Sequence, residues 1–187
     1  PNPMQKIART LLLIWLTTVS ASLAAAPSGY SINSDSPTGN ADSLYRIDLA
    51  TGAETRIATV KSLGQTRLDT EGLAYAPDGT LYGLDDDSLT LFALNPDNAT
   101  VQAGSEFLIQ GLPLGGGNDF GMTFACDGSL YLTSSATGPL YRMDLQGKAT
   151  RIGAQGSLNP VKISGLAAWG NPVQLYGLGN GADAEGN

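Results

Sequence analysis

The chain contains no histidine, and its 187 residues hold a single cysteine, Cys126. The first absence removes the usual general base, so Ser-His-Asp and Cys-His catalysis are excluded. The second excludes an internal disulfide. Basic side chains are scarce: 10 Lys and Arg face 17 Asp and Glu, for a net charge of −7, and no basic run occurs. Nucleic-acid binding needs clustered cations to neutralise phosphates, so that function class is excluded as well. Long apolar runs are missing too. Leu11 to Leu16 is the longest, far short of the roughly 20 residues a membrane span requires. Helical periodicity is absent after the first residues, and 24 glycines argue against long helices.

What is present begins with the amino terminus. Lys6 and Arg9 follow Met4, the short apolar run comes next, and the small-residue tract SASLAAA (20–26) closes it. Basic start, apolar middle and small-residue end describe a secretory signal peptide. Ser22 and Ala24 satisfy the −3 and −1 positions, so cleavage is expected after Ala24. The alternative is an uncleaved amphipathic or membrane anchor. Residues 1–24 are thus assigned to upstream residues and signal, and 25–187 to one folded domain. Pro1 to Pro3 precede the natural start and read as an over-extended frame. The expected location is exported, periplasmic or extracellular, with no stable membrane insertion after cleavage. The mature part then carries 8 basic against 17 acidic side chains. Cys126 lies in FACDG, an apolar strand pattern, and is expected to be a buried free thiol, with pairing between chains as the alternative.

The strongest signal is internal repetition. GLAYAPDGTLY (72–82) returns as GMTFACDGSLY (121–131) and, one residue longer, as GLAAWGNPVQLY (165–176). A second motif interleaves with it: SLYRIDL (43–49), TLFALNP (90–96) and PLYRMDL (139–145). Together they define a unit of about 45–50 residues holding four short strand-like segments, the size of a propeller blade. PDG (77–79) and CDG (126–128) place Asp-Gly between two apolar runs, a hairpin signal. GLAYA, GMTFA and GLAAW are expected as inner strands, their small residues suiting the crowded axis. TLYGL, SLYLT and QLYGL form the second strand, the LYRIDL-type segments the third, and a turn-flanked edge piece the fourth. Units begin at YSINSDS (30–36), Glu71, Phe120 and Ser164. The expected fold is therefore all-β, about three and a half four-stranded propeller blades. A chain fragment, a half-ring closed by pairing two copies, and a short open array each account for that number, and the fragment fits the polar carboxyl-terminal GLGNGADAEGN best. An irregular β-sandwich is the alternative fold.

GLAYAPDGTLYGLDDD with LYRIDLATG resembles the six-bladed propellers of the calcium-dependent phosphotriesterase superfamily, including gluconolactonase-like and NHL-repeat propellers. The likeness covers about 30–180. It implies a divalent cation on the axis, held by a Glu opening an inner strand together with Asn and Asp from other blades. Glu71 matches that Glu in position, and Phe120 and Ser164 stand at the corresponding places of the other copies. Ca²⁺ is the implied cofactor.

In an antiparallel meander the start of the inner strand and the loop between the second and third strands share one face of the disc. Glu71, Asp85, Asp86, Asp87 and Asp119 are the candidate metal ligands on that face, joined by Asn118, Asn180, Asp183 and Glu185, with Asp35 and Asp42 beside the first unit's loop. Oxygen donors converging on one mouth suit Ca²⁺, which takes six to eight. The bland reading of the same acids is a solvated rim. LPLGGGND (112–119) has neither the Lys-Ser/Thr nor the helix of a phosphate loop and reads as an inter-blade loop. Trp169 is expected as an inner-strand core aromatic. The function expected is an exported, non-enzymatic binding or scaffold propeller whose partner is a protein, glycan or small molecule. The alternatives are a cation-dependent lactonase-, phosphoesterase- or phytase-like hydrolase and an envelope surface-display module. A homodimer is expected if the chain is complete.

Overall fold

The computed structural model describes residues 27–33, 41–62, 65–66, 69–112, 119–135, 138–154 and 162–179. The signal segment with its cleavage point, Asp35, Asn118, Asn180, Asp183 and Glu185 lie outside the described residues. No helix occurs among the described residues.

The first sheet contains β1 (Ser28–Asn33), β2 (Ser43–Asp48) and β3 (Glu54–Thr59). A two-residue ladder, β4 (Lys61–Ser62) with β5 (Gln65–Thr66), follows. The second sheet holds β6 (Thr70–Tyr75), β7 (Leu81–Asp85), β8 (Thr90–Leu94) and β9 (Phe107–Leu108). The third holds β10 (Phe120–Phe124), β11 (Leu130–Ser134), β12 (Leu140–Met143) and β13 (Ala149–Ile152). β14 (Ile163–Trp169) and β15 (Gln174–Gly179) form the fourth. In every sheet the spatial order is the chain order and all pairs are antiparallel. Each sheet is therefore a meander, and β6, β10 and β14 lie side by side as inner strands. The first sheet begins with what is the second strand elsewhere, because Tyr30 pairs with Arg46 as Tyr131 pairs with Arg142.

The Asp-Gly hairpins form as their chemistry requires. Asp78 Oδ1 accepts the Thr80 N–H and Asp127 Oδ1 accepts the Ser129 N–H, both at 2.9 Å. Gly79 and Gly128 take φ of 86° and 83°, the left-handed region that favours glycine.

The blades pack face to face through two apolar cores. Leu44 and Val60 of the first meet Leu81, Phe92, Leu94 and Ala99 of the second. On the opposite face of the second blade, Leu84 and Leu91 meet Phe120, Met122, Leu130 and Leu132 of the third. The second blade is thus covered on both sides, which is why every residue of TLFAL in β8 is buried. Each fully buried Leu contributes about 1.5–3 kcal/mol of transfer free energy, so these seams supply most of the stabilisation. The glycines that open the inner strands mark the closest approaches. A Cβ on Gly72 would sit 3.3 Å from Met122 Cβ, and one on Gly121 would sit 3.2 Å from the Gly165 carbonyl carbon.

A backbone latch recurs along the outer rim. Lys61 N–H donates to Ala99 O at 3.1 Å and Val101 N–H donates to Lys61 O at 2.8 Å. One unit on, Gln110 N–H donates to Gly147 O at 2.9 Å and Ala149 N–H donates to Gln110 O at 2.7 Å. In the first two blades the second residue after the outer strand thereby ties the blade to the next blade's outer turn.

Two sequence expectations are corrected. Cys126 is exposed, not buried. β10 ends at Phe124, and Cys126 takes the place in the hairpin turn that Pro77 takes in the preceding blade. Trp169 does lie on inner strand β14, yet it is 73% exposed. Its counterparts four residues after the strand glycine, Ala76 and Ala125, are both buried, whereas among the described residues no further inner strand packs on the β14–β15 face.

Candidate functional site

The meander brings the start of each inner strand against the loop that follows the second strand, as the sequence requires. Thr70 lies opposite Asp85, and the Asp86 N–H donates to Asp69 O at 2.9 Å. One blade on, Phe120 lies opposite Ser134, and the Ser135 N–H donates to Asp119 O at 2.9 Å. Glu71, Asp85, Asp86, Asp87 and Asp119 therefore share one face of the disc.

Register distinguishes them in a way the glycine alignment hides. Thr70 pairs with Asp85 and Gly72 with Leu84, so Glu71 is the extra residue of a β-bulge. The same happens in the fourth blade, where Ile163 pairs with Gly179 and Gly165 with Leu178, leaving Ser164 extra. The third blade has no shift, and Phe120 is an ordinary ladder residue buried in the seam. A bulge turns its extra side chain away from the alternation of the strand and is over-represented beside binding sites. Glu71 and Ser164 are thus structural counterparts, while Phe120 corresponds to Thr70.

The three aspartates after β7 do different work. Asp85 is 1% exposed, and its Oδ1 accepts both the Ser88 N–H at 2.7 Å and the Ser88 hydroxyl at 2.6 Å. Ser88 Oγ also pairs with Thr90 Oγ1 at 2.8 Å. Asp85 thereby braces a tight loop in which Leu89 holds φ of 53°. Asp86 is half-buried at the rim and Asp87 is exposed. Asp119 is half-buried, its N–H donating to Ser135 Oγ at 2.9 Å. In the third blade Ser134 and Ser135 stand where Asp85 and Asp86 stand in the second, so hydroxyls replace carboxylates around the ring.

Asp42 belongs to this face and has a second role that its place in the sequence does not reveal. It is 1% exposed, and its Oδ2 accepts the Thr70 N–H at 2.7 Å. It joins the first blade to the inner strand of the second. Ser88 and Ser135 complete the polar rim, and Thr70 is enclosed beneath it. They escape sequence reading because Ser and Thr are common in loops, and only the register shows which of them face the mouth.

Among the described residues no three Asp, Glu or Cys side chains are grouped so as to hold a metal ion. The five acids share a face without forming a cage by themselves.

The family model of a repeat of unknown function, DUF6923, matches residues 24–159. The chain belongs to this family. No curated protein matches this chain in sequence. Among solved structures, a gluconolactonase from Xanthomonas campestris is 20% identical with a TM-score of 0.54, the match covering 83% of this chain and 52% of that one. A Bacteroides thetaiotaomicron protein of unknown function is 18% identical with a TM-score of 0.50, covering 72% of this chain and 32% of that one. A third, described only provisionally as a gluconolactonase, is 17% identical with a TM-score of 0.50, covering 84% and 58%. These likenesses establish the fold as propeller blades. They also show that this chain spans between a third and somewhat over half of each neighbour's length.

Proposed function

We propose that the chain supplies the ligand-binding mouth of an exported β-propeller that binds without catalysing a reaction. The observation that carries this reading is the bulge that lifts Glu71 out of the ladder at the mouth end of β6. Around it, Asp85 braces one loop and Ser135 fixes the start of β10, so the rim is polar and held in place before a ligand arrives. Acids without nearby basic runs favour a neutral polar or cationic ligand, such as a glycan or a small polyhydroxy molecule.

A second reading, a cation-dependent hydrolase of the lactonase kind, draws support from the gluconolactonase among the neighbours and from Glu71 opening an inner strand. The described residues do not make a complete cation cage, so Ca²⁺ held by Glu71 and Asp119, with Asp86 at the rim, needs further ligands from outside them. No reaction step is derived through that ion.

One set of measurements separates the two. Melting shifts are recorded against a panel of sugars and sugar lactones with and without CaCl₂, and δ-gluconolactone turnover is followed in parallel. Binding predicts hits whose affinity falls about tenfold in Glu71→Gln, equal to about 1.4 kcal/mol, with no turnover. Calcium-dependent turnover that vanishes in Glu71→Gln replaces binding with hydrolysis. Hits unaffected by Glu71→Gln place the ligand away from the mouth and sink both readings. Export is checked separately by the intact mass of the secreted protein, which is expected to begin at Ala25.

A further inference from the structure

The seams between blades repeat the same contacts, and one face of the molecule offers these contacts with nothing upon it among the described residues. Between the first and second blades, Tyr30 of β1 meets Tyr75 of β6 with ring centroids 5.6 Å apart. Between the second and third, Tyr82 of β7 meets Phe124 of β10 at 5.4 Å. Between the third and fourth, Gly121 lies against Gly165 and Leu166, and Thr133 Oγ1 donates to Ile163 O at 2.8 Å. Each seam therefore seats the inner strand of the following blade on the second strand of the preceding one, and in the later two seams on its inner strand as well.

The fourth blade presents the same surface again. Leu178 lies opposite Gly165 as Leu84 lies opposite Gly72 and Thr133 opposite Gly121. Leu84 is 0% exposed and Thr133 1%, whereas Leu178 is 78% exposed. Tyr176 occupies the register position of Tyr82 and Tyr131 and is 57% exposed. The three atoms nearest a Cβ built on Gly165 all belong to Leu178 of its own blade, whereas those nearest Gly72 and Gly121 include atoms of the following inner strand. Trp169, at the end of β14, is exposed beside them.

We propose that the β14–β15 face is a blade-accepting surface, and that its occupant is the inner strand of a further blade formed by this protein's own polypeptide beyond residue 179. The chemistry required of that strand is written in the other seams: a small or unbranched residue facing Gly165 and an aromatic ring over Tyr176. A second copy is a poor source. Its inner strands β6 and β10 are packed against the preceding blades, and so is β14. Its first sheet, among the described residues, lacks an inner strand to offer. Further blades within one chain also accord with the greater length of the neighbouring propellers.

The test compares the protein as its own gene produces it with a version stopped at Asn187, both carrying Cys126→Ser and Leu178→Cys. The natural-length protein is expected to exceed 19.3 kDa and to be monomeric by light scattering. The thiol introduced by Leu178→Cys then reacts with a maleimide at least roughly a hundredfold more slowly than in the stopped version, because a seam must open first. Hydrogen exchange of residues 174–179 in the unsubstituted proteins gives the same comparison without a substitution, with slow exchange only at natural length. A natural-length protein in which these residues exchange at once and the introduced thiol labels as fast as in the stopped version overturns the proposal. So does protection that appears only on dimerisation, which makes a second copy the occupant.

Discussion

Asp42 places a carboxyl group in a fully buried position between two blades, where its Oδ2 accepts the Thr70 N–H at 2.7 Å. A buried donor left without its acceptor costs about 1–3 kcal/mol. Asp42→Ala is therefore expected to lower the unfolding free energy by about 1–3 kcal/mol, read from urea denaturation midpoints. Asp42→Asn retains an acceptor and is expected to lose less. Equal losses in the two variants would show that the charge itself matters, not the capping of Thr70. Glu71 makes a contrasting residue-scale case. It stands outside the ladder, so Glu71→Gln is expected to leave the midpoint almost unchanged while altering whatever binds at the mouth. That separation of stability from binding is what distinguishes a site residue from a structural one on this face.

At the scale of strands, the glycines set how closely blades and ring stacks approach. A Cβ on Gly83 would lie 2.5 Å from two ring carbons of Phe92, directly across the ladder and fully buried. Overpacking of this kind costs about 1–3 kcal/mol, so Gly83→Ala is expected to destabilise by that amount in thermal or urea unfolding. Gly121→Val strikes a seam instead. Its Cβ alone would sit 2.6 Å from Thr133 Oγ1, and the side chain displaces the hydroxyl from Ile163 O. The expected result is faster hydrogen exchange in β14 with β6–β8 little changed, and uniform acceleration would rule out a local seam effect. These strands were legible in the sequence because apolar alternation and Asp-Gly turns recur at a fixed period. The bulges were not. Aligning on Gly72, Gly121 and Gly165 makes Glu71, Phe120 and Ser164 look equivalent, and only the ladder hydrogen bonds reveal the inserted residue. Cys126 was misplaced for a related reason: FAC continues an apolar run, but the turn that starts after Phe124 takes the cysteine out of the strand.

For the whole molecule, the absence of histidine leaves no side chain whose ordinary pKa falls between about 5 and 8. Stability is expected to be flat across that range, with its limits set at the two ends. On the acid side, the backbone N–H of Thr80 holds the Asp78 carboxyl below its usual 3.8, and the Ser129 N–H does the same for Asp127. Their contribution is present above about pH 4 and is lost as the pH falls through the lowered values. It is small for side chains so fully in water. On the alkaline side, burial and then the hydrogen bond to Tyr30 push the Tyr75 phenol from 10.0 up to about 12. The folded state keeps a proton that the unfolded chain releases near 10, so stability is full below pH 10 and declines as the pH rises toward 12. Melting temperatures taken every half unit from about pH 3 to 11.5 should trace this plateau, and Tyr75→Phe should flatten the start of the alkaline decline. The same substitution should remove the latest-titrating phenol from the near-ultraviolet absorbance of tyrosinate. If the decline above about pH 10 survives Tyr75→Phe unchanged, the first seam is not where the alkaline limit is set, and the general repulsion of an increasingly anionic chain takes its place.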